Sequence, residues 1–475
     1  MTTSGPTSTV LPSGFQVQID PRCARRGNLR YLVGGSPMRV MKLSDPALGM
    51  TSADGRIAVA DVGTQVLARR LLDAGIAHPR PMSGPCVADV TVVIPVRGNQ
   101  SGVDRLLAAL SDHEVSVVVV DDGSEIPIRV SDGARLIRFD ENRGPAAARN
   151  AGVAATSTEF IAFLDSDTVP TGDWLTMLLG HFADPTVAIV APRIVGLQTV
   201  AAGSDSTSFV ADYANRFSSL DMGPREALVA PGTPLAYVPS AAMLVRRTGF
   251  LSFDESLRVA EDVDLCWRTH RAGWRIRYDP IAEVAHDHRE SLSGMLNRRR
   301  FYGTGAAELA LRHGELAAPL VMTAPIAAGV VALATRSRIG MLVAAVIAAI
   351  VCRNTMRAVA HVPQREKIAA VNTGRAFGFG LLQLAAAVLR HYWPISFLTC
   401  AVSRRFRVWF VWVAVVEALV MWVRNQMVDP ETPVMSPMHY LVFRRLDDLA
   451  YGAGLWQGVI VRRDVGALRP VITRR

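Results

Sequence analysis

Continuous apolar runs alternate with helically spaced ones through the middle of the chain. Val90 to Pro95, Val115 to Val120 and Phe160 to Leu164 are uninterrupted and rich in β-branched or aromatic residues. That is the pattern of strands buried on both faces in a parallel sheet. Val103 to Leu110 lies between the first two and reads as their crossover helix, completing a βαβ unit. The second run stops at Asp121-Asp122-Gly123-Ser124, the third at Asp165-Ser166-Asp167. Open α/β sheets bind their ligands beyond the carboxyl ends of the strands, which is where both acid groups fall. Residues i and i+2 of an extended segment point the same way, so Asp165 and Asp167 can face one cation. Hard carboxylate oxygens beside open coordination positions suit Mg²⁺ or Mn²⁺ carrying a diphosphate. A carboxylate at 121 or 122 can accept hydrogen bonds from a nucleobase imide or a ribose hydroxyl. The competing reading of each acid pair is a solvated turn.

Two helices follow the same logic. Pro145 suits a first helical turn, alanines continue it, and Arg149 shares its face. Arginine there reaches a phosphate or base edge, or makes a structural ion pair. Glu261-Asp262-Val263-Asp264 opens a helix whose Val263, Cys266, Trp267 and His270 share a face, and Gly273 stops it. Three acids in a first turn complement the helix dipole. Alternatively, one of them is a general base held over a cleft. Trp274 to Tyr278 then alternates as a strand, and His286 and His288 are candidates to place an imidazole on a metal or phosphate.

The ends of the chain have other patterns. Residues 1–13 are small, polar and expected to be disordered. Phe15 to Ile19 alternates as a strand, Asp61 to Ala74 is a helix closed by Gly75, and His78-Pro79-Arg80-Pro81 reads as a linker. Residues 1–86 thus form a small α+β module, either a peptide-recognition element or a cap on the next domain. In the last third, Leu316 to Ala334 is 19 residues without a charge, near the ~20 that span a bilayer. Ile339 to Cys352, Ala376 to Leu389 and Val408 to Val423 are further apolar segments, bordered by arginines. They read as spanning helices, helices lying in the cytosolic leaflet, or a buried bundle.

Composition narrows the choice. Half of the 475 residues are hydrophobic and the net charge is +9; mean hydropathy is +0.23. The positive charge flanks apolar segments, which favours an anionic membrane surface over nucleic acid, and no nucleic-acid motif is present. Five scattered cysteines argue for a reducing compartment and against a disulfide framework. The start of the chain lacks the basic and apolar regions of a cleaved secretory signal.

In order and spacing, strand–Asp-Asp-Gly-Ser, Asn142-x-Gly-x-x-x-x-Arg149-Asn150, Asp165-x-Asp167 and Glu261-Asp262-x-Asp264-Leu-x-x-Arg268 resemble the family 2 glycosyltransferases. The resemblance implies the GT-A fold over residues 87–290, a divalent metal and a UDP-sugar donor. By motif, Pro95, Asp121 and Asp122 would line the uridine pocket, with Arg149 and Asp165 beside the nucleotide sugar. Asp167 would take the metal, with His286 or His288 as further ligands. Asp262 would deprotonate the acceptor hydroxyl, with Glu261 and Asp264 on the acceptor side. The family inverts by direct displacement. The Gln-x-x-Arg-Trp of processive synthases is replaced by Asn297-Arg298-Arg299-Arg300-Phe301-Tyr302, which disfavours long-polymer synthesis. Val190-Ala191-Pro192-Arg193-Ile194-Val195 does not clash with this reading: residues 190–195, Arg390 to Pro394 and Leu446 to Trp456 are similar to the mycofactocin-system glycosyltransferases, which glucosylate a peptide-derived redox cofactor. That implies the mycofactocin precursor as acceptor, while hydropathy and flanking arginines read residues 291–475 as a helical, membrane-associated region and a cytosolic nucleotide sugar puts the catalytic domain on the cytoplasmic side. A lipid or polysaccharide acceptor, and a non-catalytic peptide-binding scaffold, are the alternatives.

Overall fold

The computed structural model describes residues 5–80, 83–131, 133–197, 209–288, 291–428 and 435–474. Residues 1–4 of the polar start and Pro81 of the expected linker lie outside them. The chain divides into two compact units, residues 1–25 with 29–289 and residues 26–28 with 290–475.

In the first unit, β1 (Gln16–Ile19) is the middle strand of a small antiparallel sheet, between β2 (Arg56–Ala58) and β3 (Ala77–Arg80). Helix α1 (Val62–Asp73) packs on it, and a reciprocal Asp61–Thr64 capping box starts the helix. Two expectations are corrected. Residues 78–80 are part of a strand rather than a linker: Pro79 pairs with Val17 on a sheet edge, where a missing N–H is tolerated. Residues 5–13 are not free of the fold, because Leu11 is buried in the module core and the Thr9 carbonyl accepts from Arg69 Nε at 3.1 Å. A single leucine in a polar stretch is enough to anchor it.

The module is tied to the main sheet by charge. Arg69 makes two 2.8 Å contacts with the buried Asp184 carboxylate. Arg80 grips Glu226, at 2.8 and 2.6 Å. Arg275 donates to Asp73 at 2.8 Å.

The main sheet comprises β4 (Val90–Val96), β5 (Ser116–Asp121), β6 (Ala134–Arg138), β7 (Phe160–Leu164), β8 (Thr168–Pro170), β9 (Val187–Gly196), β10 (Ala227–Val229), β11 (Ala242–Arg246) and β12 (Arg275–His286). Its order is β8-β12-β9-β11-β7-β4-β5-β6, with β10 also on β12. Strands β7, β4, β5 and β6 are mutually parallel, so their carboxyl ends share one edge. Every residue of β4 and β7 is buried, as the uninterrupted apolar runs require. Helices α2 (Gln100–Leu110), α3 (Pro145–Ala154) and α4 (Glu261–Arg271) complete the set that positions the site. The expected strand at 274–278 belongs to the longer β12, whose course through Asp279 and Pro280 is masked in the sequence by two turn-forming residues.

The second unit is helical: α5 (Leu292–His313), α6 (Ala324–Ala334), α7 (Arg338–Ala358), α8 (Arg365–Ala386), α9 (Trp393–Val402), α10 (Arg404–Val428) and α11 (Pro437–Arg462). The 19-residue apolar run is not one helix. Only its second half is α6; Val321–Thr323 is a strand paired with Val471–Thr473, and Pro319 and Pro325 explain the late start.

Helices α5 and α11 meet backbone to backbone. A Cβ on Gly454 would enter the shell of the Arg300 carbonyl oxygen, one on Gly303 that of Tyr451, and one on Gly458 would sit 2.7 Å from Thr304 O. Buried ion pairs flank this seam: Arg299 Nη2 to Asp447 at 2.8 Å, Arg390 to Asp448 at 2.7 Å, and Arg444 Nε to Glu417 at 3.1 Å. Trp456 Nε1 donates to His391 O at 2.8 Å. The Arg390–Pro394 and Leu446–Trp456 motifs are therefore one packing device. Gly454→Ala is expected to lower stability despite the ~1 kcal/mol that alanine gains in a helix. Overpacking against rigid backbone costs up to about 3 kcal/mol and should win. A rise in thermal midpoint by circular dichroism would show that the seam is looser than this.

Candidate active site

Asp165 leaves the end of β7, and its amide donates to Ala241 O at 2.9 Å. Its carbonyl accepts from Thr168 N and Oγ1, at 3.0 and 2.7 Å, which sets the turn that presents Asp167. Arg149, on α3 and 3% exposed, donates to Asp165 Oδ1 at 2.6 Å and to Glu261 Oε1 at 3.0 Å. Its guanidinium also lies 5.3 Å from the centre of the Phe253 ring. Burial alone would lower the Arg149 pKa, but the Asp165 and Glu261 charges outweigh it and hold the group firmly cationic. Arg149 thus joins the strand acids to the start of α4.

Asp262 occupies the first turn of α4. Its Oδ1 accepts from Val263 N at 2.8 Å and its Oδ2 from Ser240 N at 3.3 Å. The residue before the helix, Ala260, has φ 62, a left-handed conformation that a side chain rarely adopts. Burial first, and then the neighbouring Glu261 charge, push the Asp262 carboxyl up to about 7. A carboxylate that releases its proton near neutrality is well matched to general-base work. Glu261→Gln should move the acid limb of the rate–pH profile to lower pH. Activity rises as Asp262 deprotonates, and removing a neighbouring negative charge lowers the pH at which it does so. An unmoved limb would show that Glu261 does not act on this group.

On the other side, β8 pairs antiparallel with β12, Thr168 opposite His286. This brings His286 Nε2 to 3.4 Å from Asp167 Oδ1, with the His288 ring 4.6 Å from that of His286. The Asp287 amide donates to Asp167 O at 2.8 Å, while its carboxylate pairs with Arg105 at 2.9 Å. Among the described residues no three Asp, Glu, His or Cys side chains converge on one metal position. A carboxylate oxygen and an imidazole side by side do fit a cation whose remaining ligands come from a diphosphate.

The other candidates take different places. Asp121 is fully buried and accepts from Ser124 N at 2.9 Å, Ile128 N at 3.2 Å and Arg138 at 2.6 Å. Burial would raise its pKa; these partners outweigh that and hold it below the usual carboxylate value. Asp122 accepts from Arg143 N at 2.7 Å and Gly144 N at 2.9 Å, fixing the entry to α3. Both carboxylates therefore brace the loops at the carboxyl edge, and Pro95 is buried in β4. Asp264 is not brought to the cluster: it is buried and pairs with Arg268 one turn on, at 2.6 Å.

Three contributors escaped the sequence reading, and a fourth, Asn150, stood in the motif without an assigned role. Asn99 caps α2 and reaches Ser166 of the acid turn at 3.3 and 3.4 Å. Asn150 clamps the Phe253 backbone through N and O, both at 2.9 Å, and so steadies the loop into α4. Phe253 supplies the ring beside Arg149, and Ser240 the amide at Asp262. An asparagine before a helix and Pro239-Ser240 before an apolar run were the available signals.

A parallel half-sheet with Asp165 and Asp167 at its carboxyl edge and Asp262 at the start of α4 has the arrangement of a GT-A sugar transferase. The chain belongs to the family 2 glycosyltransferases and is an enzyme of that class. The family model described as Glycosyl transferase family 2 matches residues 91–247. The chain is 46% identical over 476 residues to the pre-mycofactocin glycosyltransferase of Mycobacterium tuberculosis, covering 98% of this chain and 99% of the relative. It is 26% identical over 214 residues to a poly-beta-1,6-N-acetyl-D-glucosamine synthase of Staphylococcus aureus, covering 43% of this chain and half of that one. Among solved structures, GalNAc-T7 with UDP, GalNAc and Mn²⁺ aligns with 50% of this chain and 53% of its own, at a TM-score of 0.34 and 13% identity. S. aureus TarS 1-349 aligns with 46% of this chain and 65% of its own, at a TM-score of 0.30 and 20% identity.

Proposed function

We propose that the protein transfers glucose from a UDP donor to the peptide-derived precursor of mycofactocin, with inversion and with divalent-metal assistance. The observation that carries the chemistry is Asp262, poised near neutrality at the start of α4 and linked through Glu261 and Arg149 to Asp165. The acceptor is supported by the printed activity of the relative that matches nearly the full chain.

In this reading, Asp262 accepts the proton of the acceptor hydroxyl as its oxygen bonds to the sugar C1. The C1–O bond to the diphosphate breaks with its electron pair, and UDP leaves from the opposite face. One base suffices and no protein nucleophile is needed. Asp167 and His286 would hold a cation that neutralises the departing diphosphate, with His288 as a further candidate ligand. Asp165 orients the donor, and Arg149 fixes Asp165. Pro95, Asp121 and Asp122 shape the uridine side. Glu261 borders the acceptor side through its charge on Asp262. The catalytic unit works at the cytoplasmic face of a membrane that the helical unit contacts.

A second reading is favoured by one observation: α7 and α10 are apolar, long and largely exposed. Under it, the acceptor is a lipid or envelope polysaccharide. Mass spectrometry of a reaction with purified protein, UDP-glucose, Mn²⁺ or Mg²⁺ and the mycofactocin precursor peptide separates the two. Successive hexose additions, abolished by chelation and restored by Mn²⁺ or Mg²⁺, are the expected result. UDP release with an unmodified peptide would move the acceptor to lipid or polysaccharide. Full transfer in excess chelator would remove the metal from the mechanism.

A further inference from the structure

The helical unit exposes apolar surface that a water-soluble bundle would bury. In α7 and α10 only 11% of the most apolar stretch is covered. Ile339 is 76% exposed and Trp412 59%. Exposed apolar area on this scale marks a contact surface.

This surface is not featureless. A cleft of about 650 Å³ runs between α6, α8 and α10, walled by Leu333, Phe379, Leu382, Trp412, Val416 and Val420. From Trp409 to Val420 it follows roughly 16 Å of α10 at 1.5 Å per residue, the length of most of an acyl chain. Its deep end holds one carboxylate, Glu417, which Arg444 and Arg445 neutralise. At its mouth stand Arg336 and Arg375. A second hollow shares Ala334, Arg336 and Trp409 with the cleft and adds Arg404 and Arg405. Arg375, Arg404 and Arg405 have no acidic partner among the described residues, and Arg336 faces the Trp412 ring at 5.9 Å. The turns α6–α7 and α9–α10 therefore put several uncompensated guanidinium groups at one end of a hydrocarbon-lined slot.

We propose that this slot binds one anionic membrane phospholipid, an acyl chain along α10 and the phosphate among Arg336, Arg375, Arg404 and Arg405. The occupant follows from charge and shape together. Hydrocarbon alone leaves the arginines unanswered, and a soluble phosphate leaves the apolar slot empty. Guanidinium forks match phosphate oxygens two at a time. The proposal deepens the membrane reading above and rests on it. It adds a defined site to what would otherwise be general adhesion.

The test uses the full-length chain in detergent micelles with dioleoyl-phosphatidylglycerol or dioleoyl-phosphatidylcholine, lipid retention being counted by native mass spectrometry. One phosphatidylglycerol per chain is expected, and phosphatidylcholine should not be retained. Arg336→Gln/Arg404→Gln/Arg405→Gln should weaken retention roughly a hundred-fold, as three basic residues at a lipid surface imply. Gly378→Phe fills the slot from a helix position where an added Cβ meets nothing within 4 Å. It should abolish retention while binding to phosphatidylglycerol vesicles persists in sedimentation. Circular dichroism confirms that each variant is folded. Equal retention of both lipids, or retention unchanged in Gly378→Phe, would overturn the site, even where vesicle binding upholds membrane contact. Hexose transfer to the precursor peptide, followed in the same preparations, reports on the proposed function independently of the lipid count.

Discussion

Asp262→Asn is expected to lower turnover by roughly 10²–10⁴-fold, the contribution of a positioned general base, while UDP-sugar binding survives. Asparagine keeps the shape, but its one carbonyl oxygen accepts from only one of Val263 N and Ser240 N, which bond to different oxygens of Asp262, and it cannot take a proton. The substitution also removes a negative charge beside the charged Glu261, which offsets part of the lost hydrogen bond. Wild-type activity rises with pH as the carboxyl, pushed up to about 7, loses its proton. The residual activity of the variant should lose this dependence. Isothermal titration with UDP separates binding from turnover. Equal turnover in the two proteins would take the base role from Asp262, and loss of UDP binding would make the residue part of the donor pocket instead.

Arg149→Met should be the most damaging single change to the fold of the site. It leaves Glu261, with an 11% exposed side chain, and Asp165, 24% exposed, without their shared cation. Breaking a buried pair by removing one partner costs about 3–5 kcal/mol. The partial exposure of Asp165 places this case near 3 kcal/mol, measurable as a lower urea midpoint. The variant also removes a positive charge that lowers the Asp262 pKa, so the acid limb of the activity profile should move toward alkaline pH. Glu261→Gln moves the same limb the other way. Opposite shifts from neighbouring substitutions are difficult to produce by general loosening. Shifts of the same sign would show that the Arg149–Glu261 pair acts on the fold alone.

Much of the parallel half was legible because β4, β7 and most of β5 are buried on both faces, which fills them with apolar residues. Val90–Val96, Ser116–Asp121 and Phe160–Leu164 lie within a residue of their expected bounds. The acids were legible as a set because each ends an element: Asp165 and Asp167 after a strand, Glu261 and Asp262 at a helix start. What could not be read was how the charges divide. Asp262 and Asp264 are equally acidic letters on one helical turn, but the first meets Ser240 N and the second Arg268. Asp122 looks like a ligand-binding acid and its carboxylate holds the Arg143–Gly144 backbone. Ser240 lies 22 residues from Asp262 and Arg143 21 from Asp122, so no local pattern shows those contacts, whereas Asp264–Arg268 is an i,i+4 pair that the spacing alone could have offered. The apolar C-terminal runs gave the helices but not their breaks, because Pro319 and Pro325 leave open whether a helix is kinked or begins late.

The seam between α5 and α11 has one more consequence. Ordinary helix contacts carry a layer of side chains that can be redrawn by substitution, or repacked after a shift. At Gly303, Gly454 and Gly458 that layer is missing, and register alone holds the fit. One inserted residue turns everything beyond it by about 100°, swinging Gly458 and then Gly454 off the line of contact and presenting a side chain in their place. Surface loops in general lengthen at little cost. Helices α5 and α11 cannot gain a single residue within the seam, so their lengths between these glycines are as fixed as the glycines themselves.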